Sequence, residues 1–172
     1  MDRGKDSMRI TTLLITGFAT AATAALGGMA TAPAVRSNWY AALRKPAYQP
    51  PREVFPVVWP ALYADIAVVS AAAIDELGAT GRDIERRAYR NALALNLALN
   101  AAWSWLFFNR RRLGTATVVS AALTVSSADM TRRAVNATGG RAAPLALYPL
   151  WCAFATVLCG HIRQLNSRAV RP

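Results

Sequence analysis

Residues 10–32 read ITTLLITGFATAATAALGGMATA, a stretch that contains no charged side chain. A helix needs about 20 apolar residues to cross the ~30 Å hydrocarbon core of a bilayer, so this stretch is long enough to span a membrane. Basic residues precede it and Ala30-Thr31-Ala32 is a plausible cleavage site, which is also compatible with a signal peptide. Its apolar part is longer than that of an ordinary signal peptide, which favours a first transmembrane helix.

Four further apolar segments, each about long enough to span a bilayer, lie at 54–74, 91–108, 113–130 and 142–162. Prolines and glycines are concentrated between them, and the only long connection is the loop 33–52. A soluble Ala-rich bundle would carry charges along the outward face of each helix, but the first and fifth segments have none. We therefore predict an all-α fold, an integral membrane bundle of five transmembrane helices that forms one domain over residues 1–172.

The net charge of +11 is spread over every loop and both termini. Nucleic-acid-binding proteins usually concentrate their basic residues on one face, so this distribution favours phospholipid headgroups and argues against nucleic acid. The 20 Lys and Arg residues divide equally between the two sides of a five-helix bundle. The positive-inside rule therefore leaves the orientation open.

Aromatic and proline motifs follow one another along the chain in a fixed order. The long loop and the second segment contain Trp39-Tyr40, Lys45-Pro46, Pro50-Pro51, Trp59 and Leu62-Tyr63. The third segment adds Asn100, Trp103 and Phe107-Phe108, and the fifth adds Tyr148-Pro149, Trp151 and Phe154-Ala155-Thr156. In sequence and order these motifs resemble those of the TspO/MBR family, the translocator proteins and tryptophan-rich sensory proteins, and a bacterial member in particular.

Three positions depart from the family pattern. Tyr48 replaces the tryptophan that follows Lys-Pro, and Cys159 and Gly160 replace an asparagine and a tyrosine after the Phe-Ala-Thr run. The last two positions belong to the cholesterol-recognition consensus of animal members. Cholesterol binding of the animal type is therefore not expected.

The resemblance implies a pocket inside the bundle that is covered by the loop 33–52. Such a pocket binds flat, largely apolar molecules, above all porphyrins such as protoporphyrin IX and heme. The residues that match the family's pocket are Tyr40, Pro50, Trp59, Tyr63, Asn100, Trp103, Trp151 and Ala155. Arg44, Lys45 and Arg52 are candidate contacts for the propionates, although contacts with lipid headgroups explain each of them equally well. We predict no catalytic residue, no metal site and no required cofactor, the porphyrin being a ligand.

The third segment carries two opposite faces. Asn96, Asn100 and Trp103 share one of them at helical spacing, and asparagines in a membrane normally face the bundle interior. There they form either an interhelical hydrogen bond or a pocket wall. The opposite face carries the ridge of Ala94, Ala98 and Ala102, and such small-residue ridges let helices approach closely. This ridge, together with the resemblance, predicts a homodimer through the third helix.

Two further expectations concern depth and charge. Trp59, Trp103 and Trp151 should lie near the loop 33–52, on the reasoning that the second and fifth helices begin, and the third ends, on that side. Asp129 should pair with the arginines that follow it near its helix end, whereas Asp65 has no evident role.

The resemblance implies a membrane receptor or carrier for porphyrins and related flat ligands, with a role in stress signalling or tetrapyrrole homeostasis in the bacterial cell membrane. The alternatives are an enzyme that degrades porphyrins in the presence of light and oxygen, and a transporter of porphyrins or sterols. The sequence shows no nucleophile–base pair and no metal-ligand set, so an enzyme is less favoured. No inverted repeat is evident, which argues against an alternating-access transporter.

Overall fold

Five long helices form one bundle in the computed structural model, which describes residues 3–167, with side chains from residue 10 onward. The basic residues before the first segment lie outside the described side chains. The helices, in chain order, are α1 (Arg3–Ala34), the short α2 (Asn38–Ala42), α3 (Phe55–Ala79), α4 (Asp83–Ser104), α5 (Leu113–Thr138) and α6 (Leu147–Ser167). No strand occurs in residues 3–167. The predicted all-α membrane bundle is confirmed.

Three stretches are long and apolar enough to cross a membrane, namely Ile10–Ala34, Phe55–Ala79 and Leu113–Ser167, of which the last contains both α5 and α6. Helix α4, which corresponds to the predicted segment 91–108, begins at Asp83. The prediction missed its first turns because they carry charged residues, among them Asp83 and Glu85. Acidic side chains in a first turn interact favourably with the helix dipole, so α4 extends beyond the apolar part of its sequence.

The fifth spanning helix begins at Leu147 rather than at 142. Residues Gly139–Ala146 form a 3-10 helix that links α5 to α6. Gly139 has a φ of 64°, a left-handed conformation that glycine adopts without steric cost, and it ends α5. A π-helical turn, Trp105–Asn109, continues α4 to the end of the bundle that lies opposite this 3-10 helix.

Small and hydroxylated residues let α1 pack closely against its neighbours. Thr16 is buried and its hydroxyl donates to the carbonyl of Ala67 on α3 at 2.9 Å. Gly27 faces α4 so closely that a Cβ there would lie 3.2 Å from Ser104 Oγ. Such contacts are typical of helix association in membranes, where lipid removes the hydrophobic difference between helix and surroundings.

The two intramembrane acids have different surroundings. Asp129 forms ion pairs of 2.6 Å with both Arg132 and Arg133, as the sequence predicts. Asp65 is half-buried on α3 and has no ion pair with any side chain of residues 10–167.

An aromatic cavity beneath the first loop

The loop 33–52 contains the short helix α2, which Ser37 caps. The Ser37 hydroxyl accepts a hydrogen bond from the backbone N–H of Tyr40 at 3.3 Å, the usual role of a serine before a helix. The helix lays Trp39 against Phe107 and Tyr40 against Phe108, with ring centroids 6.2 and 6.1 Å apart. We call residues 33–55 the lid, because α2 and the chain after it cover the end of the bundle.

After α2 the lid runs along α6. The side-chain amide of Asn166 donates to the carbonyl of Arg44 at 2.9 Å and accepts from its N–H at 3.1 Å. Further along, Tyr48 Oη lies 3.2 Å from His161 Nδ1. The lid is thus held to α6 by a small number of polar contacts, all of them near the end of that helix.

The prediction that the fifth spanning helix begins on the lid side is wrong, because α6 begins at the far end of the bundle and ends at the lid. Trp151 lies roughly 22 Å along the helix from Asn166. Trp151 nevertheless borders the site, because the lid runs along α6 from its end back toward Trp151. The ring centroids of Trp151 and Phe55, the first residue of α3, are 5.8 Å apart.

Three tryptophans from three helices meet under the lid. The Trp59 ring lies 6.2 Å from Trp103 and 6.5 Å from Trp151, the second pair edge to face. These separations are within the range of favourable aromatic contacts. The three rings border a cavity of about 50 Å³ whose other lining residues are Tyr40, Gln49, Phe55, Phe107, Phe108, Ala155, Leu158, Cys159 and Ile162.

Of the predicted pocket residues, the structure brings Tyr40, Trp59, Trp103, Trp151 and Ala155 to this cavity. Three others lie beside it. Pro50 is half-buried in the lid, Tyr63 packs on Trp59 with ring centroids 5.7 Å apart, and Asn100 lies deeper in the bundle. Phe107 and Phe108, which belong to the aromatic motifs but are not among the predicted pocket residues, also line the cavity.

A chain of hydrogen bonds lies next to the aromatic rings. Tyr63 donates to Asn100 Oδ1 at 2.8 Å, and Asn100 Nδ2 donates to Tyr148 Oη at 3.0 Å. Tyr148 in turn donates to Asn96 Oδ1 at 2.8 Å. Asn100, which lies on α4, is therefore hydrogen-bonded to both α3 and α6. Tyr148 is not among the predicted pocket residues, although it lies one helical turn before Trp151 in the sequence.

Two indole N–H groups at the cavity have no nitrogen or oxygen acceptor. The Nε1 atoms of Trp103 and Trp151 are enclosed without such a partner among the described residues, and only the Cys159 thiol, a weak acceptor, is available to Trp103. By contrast, Trp105 on the outer surface donates to the carbonyl of Leu26 at 3.1 Å. Buried polar groups are normally paired, so these two donors leave the site able to receive a ligand acceptor.

The cations of the lid differ in their surroundings. Lys45 Nζ lies 4.0 Å from the centre of the Tyr40 ring, and burial lowers the pKa of this lysine. Burial raises the pKa of Tyr40, which a hydrogen bond with Gln49 partly opposes. Arg52 is exposed and pairs with Glu53 at 2.9 Å. None of the three predicted propionate contacts, Arg44, Lys45 and Arg52, borders the cavity itself.

Comparison with known proteins identifies relatives over most of the chain. The family model of the TspO/MBR family matches residues 15–165. The translocator protein of Bos taurus is 37% identical over 147 residues, which cover 83% of this chain and 85% of that protein. The tryptophan-rich protein TspO of Bacillus cereus is 29% identical over 129 residues, 75% of this chain and 81% of that protein. The tryptophan-rich sensory protein of Cereibacter sphaeroides is 35% identical over 98 residues, 56% of this chain and 58% of that protein.

Proposed function

Since the chain belongs to the TspO/MBR family, we propose that this integral membrane protein is a receptor or carrier for porphyrin-type ligands, which bind in the aromatic cavity under the lid. The observation that carries the proposal is the meeting of Trp59, Trp103 and Trp151 around one cavity, with two indole N–H groups that have no nitrogen or oxygen acceptor among the described residues. We further propose that it acts in tetrapyrrole homeostasis or stress signalling in the bacterial cell membrane.

Porphyrin chemistry matches both properties of this cavity. The macrocycle offers a large π face that stacks on aromatic side chains. The ring substituents include carboxylates, which accept hydrogen bonds from groups such as the Nε1 atoms of Trp103 and Trp151. Lys45 lies above Tyr40, a lining residue, and supplies a lid cation for a propionate that emerges from the cavity.

The cavity volume requires the lid to move before such a ligand binds. Sites for small molecules usually measure about 300–1,000 Å³, whereas this cavity measures about 50 Å³. Lining residues Tyr40, Gln49 and Phe55 come from the lid, so its displacement enlarges the space while the five long helices stay in place beyond the first residue of α3. In this proposal the described arrangement is the closed state, and ligand affinity is reduced by the cost of opening.

We also propose that the protein forms a homodimer through α4. Ala94, Ala98 and Ala102 are all exposed on this helix, while Asn96 and Asn100 are buried on its other side. The alanine ridge therefore faces away from the bundle, and a second copy could pack against it with close backbone contact.

The proposal is tested by titrating the purified full chain with protoporphyrin IX and following the porphyrin absorption, first in the dark and then under light. Saturable binding in the dark supports a receptor or carrier, provided that light bleaches the porphyrin absorption no faster with the wild type than with the Trp151→Ala variant. Bleaching that depends on the intact chain would instead support light-dependent porphyrin breakdown. Absence of saturable binding would contradict both readings.

A further inference from the structure

A second, larger cavity lies at the end of the bundle opposite the lid. It has a volume of about 610 Å³ and opens between α1 and α3, beside the first turns of α4 and the 3-10 helix that precedes α6. None of its lining residues belongs to the aromatic cavity. Any ligand of this cavity is therefore independent of the function proposed above.

One part of this cavity is an apolar groove on the outer surface of the bundle. Ile15 on α1 and Val68 on α3 border it and are exposed by 62% and 57%. On α3 the apolar lining of this groove runs from Val68 to Ile74, a helical rise of about 9 Å. The groove thus covers somewhat more than half of one membrane leaflet, which is about 15 Å thick.

The other part of the cavity carries charges of both signs. Its basic side chains are Arg86, Arg90 and Arg141, and its acidic side chains are Asp75 and Glu76. Gly78 allows Arg86 to lie across the end of α3, because a Cβ at this position would lie 2.9 Å from Arg86 Nη1. These charges are at the end of the apolar groove, where the headgroup of a lipid in that leaflet would lie.

Not all of these charges are neutralised by neighbours. Arg86 pairs with Asp83 at 2.9 Å, and Asp75 accepts a hydrogen bond from Thr12 at 2.6 Å. Arg90, Arg141 and Glu76, in contrast, form no ion pair with any side chain in residues 10–167. Within residues 10–167, two guanidinium groups and one carboxylate are therefore left for a ligand that itself carries both charges.

We propose that this cavity binds one phosphatidylethanolamine molecule from the surrounding leaflet. Arg90 and Arg141 bind the phosphate, since guanidinium groups bind phosphate with charge-assisted hydrogen bonds. Glu76 accepts from the primary ammonium group, and one acyl chain lies in the groove between Ile15 and Val68. A choline headgroup has a cation but no N–H to donate, and a glycerol headgroup has O–H donors but no cation, so neither offers the carboxylate a charged hydrogen-bond donor.

The test is native mass spectrometry of the full chain in mild detergent, with equal amounts of phosphatidylethanolamine, phosphatidylcholine and phosphatidylglycerol of the same acyl chains. One retained phosphatidylethanolamine, bound at least about fivefold more than the other two lipids, is expected. Replacing Arg90 and Arg141 together by Gln should reduce its retention about tenfold or more, the effect of losing one or two charge-assisted hydrogen bonds. The matched control is Arg87→Gln, an exposed arginine of the same helix that does not border the cavity.

Two single variants separate the headgroup from the acyl chain. Glu76→Gln should abolish the preference for phosphatidylethanolamine over phosphatidylcholine, and it should raise phosphatidylglycerol retention because a negative charge is removed from the site. Ala72→Phe, which fills the groove from α3, should weaken the retention of phosphatidylethanolamine without touching a charge. Tryptophan fluorescence from the distant aromatic cavity reports that each variant is folded. Equal retention of the three lipids by the wild type, or an Arg87→Gln effect as large as that of the double variant, would overturn the proposal.

Discussion

Substitution of Trp151 separates the two contributions that the aromatic cavity is expected to make to porphyrin binding. Trp151→Phe keeps an aromatic ring near Trp59 and Phe55 but removes the indole N–H, which has no acceptor among the described residues. A net hydrogen bond is worth about 1 kcal/mol, so the dissociation constant of protoporphyrin IX should rise about fivefold. Trp151→Ala also removes a stacking ring, worth roughly 1 kcal/mol beyond its area, and the rise should reach about 30-fold.

The assay is equilibrium titration in detergent in the dark, with Trp105→Phe as the control. Trp105 lies on the outer surface and its N–H is already bonded to Leu26, so this variant should bind like the wild type. Unchanged affinity in a folded Trp151→Ala protein would exclude Trp151 from the site. Equal losses in the Phe and Ala variants would show that the N–H, and not stacking, determines affinity.

Three further changes test the surroundings of the site. Asn100→Ala removes two interhelical hydrogen bonds, each worth about 0.6 kcal/mol in membranes, and should lower the free energy of unfolding in SDS by about 1 to 2 kcal/mol. The control Asn91→Ala, at an exposed position of the same helix, should leave this free energy unchanged. An Asn100→Ala protein as stable as the wild type would contradict the hydrogen-bond network. Asn166→Ala removes both hydrogen bonds between Arg44 and α6, which should loosen the lid and speed porphyrin association in stopped-flow mixing. An unchanged or slower rate would mean that this contact does not hold the lid closed. Ala98→Leu should convert the proposed dimer to a monomer, measured by light scattering, and should leave porphyrin affinity unchanged; a persistent dimer would place the interface on another helix.

The helical membrane bundle could be predicted from the sequence, because an uncharged stretch as long as 10–32 matches the bilayer thickness and must form a helix to satisfy its backbone hydrogen bonds in lipid. Helix ends were less predictable, since they depend on capping and local backbone conformation. The first turns of α4 are charged and still helical, and Gly139 ends α5 before an unforeseen 3-10 helix.

Within the candidate site, aromatic residues at motif positions could be read directly, and five of the eight predicted pocket residues border one cavity. Asn100 could be assigned to the bundle interior, but its partners Tyr63 and Tyr148 depend on the rotation and depth of three helices. The position of Trp151 was predicted for the wrong reason. Its contact with Phe55 arises because the lid descends along α6, a path that no periodicity in the sequence encodes.

The most direct test of a porphyrin site among the three inner tryptophans is fluorescence quenching in a Trp39→Phe, Trp105→Phe variant, in which Trp59, Trp103 and Trp151 are the remaining indoles. Protoporphyrin IX added in the dark should quench this emission saturably, with one porphyrin per chain at the end point. Quenching that grows in proportion to added porphyrin without saturation, as for a dye that dissolves in the detergent micelle, would contradict binding at the aromatic cavity.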